Sequence, residues 1–288
     1  MNTTLKLWTQ LGLGTALAGG LLAACGGEAG GEAGATGEAG GGSAAVAGEG
    51  EGGAGGAGGE GKAAGGTGGE GEGGVATANA AKDPVAYGIA LAVAEAHVVA
   101  ARDAYGAGKK DAAAEMFAHP VSEVLLDMDP AFAALGVADM KPLFTAASDA
   151  ALAGKPAGEV NKAHDAIIAA LRAAEAKGPK SDVSPAKIAT AVVADMIERA
   201  SAMYRQLPKN NAYEPYLDGY GFAMVAASAF AADGAAIKAE NPAAHARITE
   251  ALALLRQAYP GAARPAVLPA EPGALSGASA KVMLAAAN

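Results

Sequence analysis

From residue 83 to about residue 260 the chain carries almost no strand signal, and this restricts its fold more than any other feature. Alanine, leucine and valine run with scattered charges, and long alternating runs of valine, isoleucine and threonine do not occur. Alanine has the highest helix propensity, and glycine and proline serve as punctuation between segments. Asp83 reads as an N-cap with Pro84 in the first helical turn. Val85, Ile89, Leu91 and Val93 follow at mostly helical spacing, and "GAGKK" ends the segment. Further helices are predicted over 109–118, 120–128, 130–135, 139–153, 157–177, 184–207, 213–238 and 242–258. The expectation is an all-α helical bundle over 83–260, as one domain or two small bundles fused. Residues 261–288 are rich in proline and small residues and read as an irregular tail. Its end, "ALSGASAKVMLAAAN", has the makings of a short terminal helix.

The two halves of this region look related. "AVAEAHVVAARDAY" (92–105) can be laid on "AVVADMIERASAMY" (191–204). Each is followed by a turn and then an X-Pro-x-x-acid unit: His119-Pro120-Val121-Ser122-Glu123, and Glu214-Pro215-Tyr216-Leu217-Asp218. A duplication of this kind predicts two equivalent helical hairpins about a pseudo-two-fold axis, with the two units at matching places.

The N-terminus has a different chemistry. Lys6 precedes the short apolar run "LGLGTALAGGLLAAC", the pattern of a signal peptide over 1–24. Leu22-Ala23-Ala24-Cys25 resembles the lipobox of bacterial lipoproteins. That resemblance implies diacylation of the Cys25 thiol, palmitate being the familiar acyl group, and cleavage before it. It also implies a membrane partner through the lipid anchor. Two or three acyl chains, at about 0.8 kcal/mol per buried CH₂, hold a protein to a bilayer almost permanently. Gly26, where an aspartate is absent, implies the periplasmic face of the outer membrane by the same resemblance. Cys25 is the one cysteine in the chain, so no internal disulfide forms.

Residues 25–82 read as the anchor and a disordered linker. Residues 26–74 hold 25 glycines and eight glutamates against one lysine. Such a segment cannot bury enough apolar surface to offset its chain entropy. A coil of this length reaches on the order of 40 Å. Eight glutamates less one lysine give −7 of the formal −9, so the acidity belongs to a solvated tether. No basic patch or aromatic-basic cluster points to nucleic acid.

"FAHPVSEVLLDM" (117–128) poses the functional question. One reading is local: His119 before a proline avoids the helical region, Pro120 opens a helix, and Glu123 favours the helix dipole. The other reading makes His119 and Glu123 an i,i+4 metal-ligating pair. His97, in the apolar mid-helix context "AEAHVVAA", would complete a His₂-carboxylate set suited to iron, zinc or copper. Glu214 and Asp218 form the counterpart pair. "NAYEPYLDGYGFAMVAASAF" adds Tyr216 and Tyr220, so that Glu214, Tyr216, Asp218 and Tyr220 make a candidate second site. Gly219 and Gly221 there fit a tight helix crossing or the close approach of a ligand. His164 and His245 have charged neighbours and read as surface positions. The methionines are dispersed and read as core filling.

The region shows no ExxH pair of the di-iron kind, no HExxH, no GxSxG and no P-loop, so no enzyme is expected. A lipoprotein signal, a spacer and a duplicated all-helical bundle with a His…Glu unit resemble the imelysin-like periplasmic proteins. The family motif is GxHxxE; here Ala118 replaces the glycine and Glu123 lies four residues after His119. The resemblance implies metal handling in the bacterial envelope and carries over His119 and Glu123. A rival expectation is a metal-free helical interaction module that uses the tether to reach an envelope protein or the cell wall.

Overall fold

A computed structural model describes residues 74–288. The signal peptide, the lipobox with Cys25 and the Gly/Glu-rich stretch up to residue 73 lie outside the described residues. Nine α-helices and one π-helical turn follow in the order α1 (Pro84–Gly106), α2 (Lys110–Pro120), the π turn (Val121–Leu125), α3 (Leu126–Leu135), α4 (Lys141–Leu152), α5 (Ala157–Glu175), α6 (Pro185–Gln206), α7 (Glu214–Glu240), α8 (Pro242–Ala258) and α9 (Pro272–Ala286). No strand occurs among the described residues. The fold is an all-α helical bundle.

Local chemistry sets most boundaries. The Asp83 carboxylate accepts hydrogen bonds from the N–H groups of Val85 and Ala86, at 2.8 and 3.2 Å. Ser184 and Asn241 cap α6 and α8 in the same way, through Lys187 and Ala244. Each such cap satisfies a backbone donor that the first turn leaves open, worth about 1 kcal/mol. Ala80 is fully buried, so packing begins inside the segment read as linker up to residue 82.

One expected boundary is absent. Pro120 does not open a helix; it is the last residue of α2, and the rod continues through the π turn into α3. Proline lacks the N–H that would extend the α-helical ladder. The wide turn follows directly, where that ladder is already open. Pro130 likewise lies inside α3, so 120–128 and 130–135 belong to one continuous rod.

Helices α1 and α7 form the centre. α1 is buried on nearly every side, from Tyr87 through Ala104, and packs on α2, α5, α6 and α7. The same apolar content makes α1 and α7 long and apolar enough to cross a bilayer by length and composition. In the bundle their apolar faces meet each other and the surrounding helices. Gly221 is the point of closest approach: a Cβ there would lie 2.3 Å from the Ala96 carbonyl oxygen. A Cβ on Gly219 would lie 1.9 Å from the Tyr259 hydroxyl. The tight crossing read from these glycines is present.

The tail is only partly irregular. Residues 259–271 lack helix but are held firmly, and α9 closes the chain. Tyr213, Tyr216 and Tyr204 donate to the carbonyls of Ala262, Gly261 and Ala270. Arg264 donates to the carbonyls of Leu207, Asn210 and Ala212. Buried phenols need partners, and an ordered loop supplies them.

Two glycine substitutions test this packing. Gly221→Ala is expected to destabilise the protein by roughly 1–3 kcal/mol, because a backbone carbonyl cannot move aside as a side chain can. Gly277→Ala, at an exposed position of α9 with nothing within 4 Å of the new methyl, is expected to stabilise by up to about 1 kcal/mol. Urea unfolding of both variants measures the contrast.

Candidate metal centre

Four elements meet around His97. α1 supplies His97, the end of α2 supplies His119, the π turn supplies Glu123, and the first turns of α7 supply Glu214 and Asp218. The Gly221 crossing brings α7 against α1 at Ala96, the residue before His97, one turn along α7 from Asp218. His97 and Asp218 are each 2% exposed, whereas His119 and Glu123 are 22% and 29% exposed and Glu214 is 46% exposed. The group therefore runs from a buried floor to an open rim.

The distances are short. His97 Nε2 lies 3.3 Å from Glu123 Oε2 and 3.5 Å from Asp218 Oδ1. His119 Nδ1 lies 3.8 Å from Glu123 Oε1, and its Nε2 lies 3.3 Å from Glu214 Oε1. The His97 and His119 rings sit edge to face, 5.9 Å apart, and Phe222 walls His97 at the same separation. One donor atom from each of His97, His119 and Glu123 lies within 4.8 Å of the other two. His97 Nδ1 is 2.8 Å from the Val93 carbonyl oxygen, which only accepts, so Nδ1 carries the proton.

These contacts shift the titrations. Burial pulls the His97 pKa down, but the pairing with Glu123 and the Asp218 charge outweigh it and hold it above the ordinary histidine value. The same pairing outweighs burial at Glu123 and holds that carboxyl below the usual range. Glu123 Oε2 is buried, and no donor reaches it in hydrogen-bond geometry. A neutral His97 would aim the Nε2 lone pair at two carboxylates. A cation, either a proton or a metal ion, relieves that conflict.

The remaining candidate residues divide. Glu214 and Asp218 were expected to form a separate counterpart site; they lie instead against His119 and His97, so the two X-Pro-x-x-acid units share one site. Tyr216 and Tyr220 take no part. The Tyr216 hydroxyl donates to the Gly261 carbonyl and that of Tyr220 to Asp103 Oδ2, each at 2.7 Å. Glu95, two residues before His97, turns to the opposite face of α1 and pairs with Arg172. His164 is not a surface residue: it is 5% exposed, and burial lowers its pKa. His245 is half-buried against the Phe230 ring. The internal repeat singled out both X-Pro-x-x-acid units but gave no sign that they meet. Laying 92–105 on 191–204 pairs His97 with Met196, so the second half has no second buried histidine with which to build its own site.

No protein-family model, curated protein or solved structure matches this chain.

The metal-free protein has a defined stability window. The raised His97 pKa contributes stability that is present below the ordinary value of 6.5 and is lost as pH rises through the folded value. The lowered Glu123 pKa contributes stability that is present above 4.5 and is lost as pH falls through its folded value. Metal-free protein is therefore expected to resist urea better at about pH 5.5 than at about pH 8.5. Glu123→Gln should flatten that difference.

Proposed function

We propose that the protein is a membrane-tethered, non-enzymatic metal-binding lipoprotein of the bacterial envelope, with an ion held by His97, His119 and Glu123. The observation that carries this reading is the convergence of those three donors within 4.8 Å around a buried carboxylate oxygen that no donor faces when His97 is neutral. Mixed imidazole and carboxylate donors suit iron, zinc or copper(II). A ligated imidazole is neutral and a ligated carboxylate ionised, so the free site must give up its histidine proton to load. The resemblance to imelysin-like proteins supports the same role. The lipobox-like Leu22-Ala23-Ala24-Cys25 supports acylation at Cys25 and attachment to the periplasmic face of the outer membrane. The glycine-rich stretch would then let the domain reach an envelope partner.

Elemental analysis after equilibration with limiting iron, zinc and copper tests the reading. Near one equivalent of ion per chain is expected, and His119→Ala should lose it. An absence of metal from both would leave the interaction module as the better reading. Affinity should also fall as pH drops through the raised His97 pKa, about tenfold per pH unit below it. Competition titration with a chromogenic chelator measures that slope.

A further inference from the structure

We infer that Glu214 is a positioning residue outside the ligand set, so that the two histidines coordinate through opposite ring nitrogens. The inference rests on the metal reading above and deepens it. It follows from asking, for each ring, which nitrogen is already committed. His97 Nδ1–H donates to the Val93 carbonyl, which leaves Nε2 facing Glu123 and Asp218. His119 has carboxylates on both sides: Glu214 Oε1 at 3.3 Å from Nε2, and Glu123 Oε1 at 3.8 Å from Nδ1. Glu123 is the carboxylate shared with His97, so the Nδ1 side of His119 faces the inner group. The Nε2 side faces Glu214 at the rim.

Metal-bound histidines almost always donate their second ring N–H to a carbonyl or carboxylate, which fixes tautomer and orientation. Val93 does this for His97. Glu214, 46% exposed and at the first turn of α7, is placed to do it for His119. Asp218 lies behind His97 and outside the group of three mutually close donors. It is 2% exposed, and its Oδ1 lies 3.5 Å from the ligating nitrogen of His97. Donors about 2.1 Å from a tetrahedral ion stand about 3.4 Å from one another. His97 Nε2 meets that spacing with Glu123. The resulting set is two imidazoles and one carboxylate with no sulfur. It favours a divalent ion of the zinc or iron(II) kind over copper(I).

The rim has a place for an approaching ion or its carrier. Ala112, Glu115 and Met116 of α2 face Tyr213, Glu214 and Leu217 across a cleft of about 220 Å³. Glu214 thus touches the cleft on one side and His119 on the other.

Zinc binding by the full chain tests the assignment with two independent readouts. Long-range ¹H–¹⁵N spectra of zinc-loaded wild type should show His97 protonated at Nδ1 and bound at Nε2, and His119 protonated at Nε2 and bound at Nδ1. His119 bound through Nε2 would overturn the role given to Glu214. Glu214→Gln should weaken zinc by about tenfold while the same His119 nitrogen stays bound. Loss of a whole equivalent in that variant would make Glu214 a ligand and overturn the assignment. Failure of the wild type to bind any ion would strike the metal reading itself, which keeps the two failures distinct.

Discussion

The close approach of α1 and α7 at Gly221 is the constraint on which the rest depends. A backbone carbonyl, that of Ala96, occupies the space a side chain would need. Only a glycine allows the two central helices to come this near, and only this nearness sets Asp218 beside His97. Gly219, one residue after Asp218, makes the same allowance for Tyr259 on the other side. Tyr259 in turn donates to the Ala200 carbonyl and packs on Tyr204 and Tyr216, which tie down the loop before α9. The glycines therefore link the centre of the bundle, the site and the C-terminal segment.

Burying carboxylates beside a histidine is costly unless a cation joins them. Without metal, a proton on His97 fills this role below its raised pKa, and the same pairing holds the Glu123 carboxyl below its usual range. With metal, the same lone pairs become ligands. On the proposed reading, an ion would take the place of that proton. The gradient from His97 and Asp218 to Glu214 gives the exchange a direction, from buried floor to exposed rim.

Much of the fold was legible in the residues. Helix type followed from alanine content and the lack of alternation, and the cap at Asp83 fell where its side chain indicated. Pro120 misled because a proline is read as a start or a stop, whereas a π turn lets a rod run past it. The site was half legible. His97, His119 and Glu123 were recognisable by residue type and spacing. Their union with Glu214 and Asp218 was not, because it depends on how two hairpins pack, which periodicity does not encode. His164 misled for a related reason: its charged neighbours point outward on α5 while its own ring points inward. Tyr216 and Tyr220 share a helix with Asp218, yet their hydroxyls serve the loop at Gly261 and the α1 carboxylate of Asp103.

X-ray absorption at the zinc edge of the zinc-loaded chain tests the central claim most directly. The account predicts a shell of nitrogen and oxygen donors at about 2.0–2.1 Å, outer-shell scattering from two imidazoles, and no sulfur. His97→Ala should reduce the imidazole contribution to one. A spectrum without imidazole scattering, or one unchanged by His97→Ala, would contradict the account.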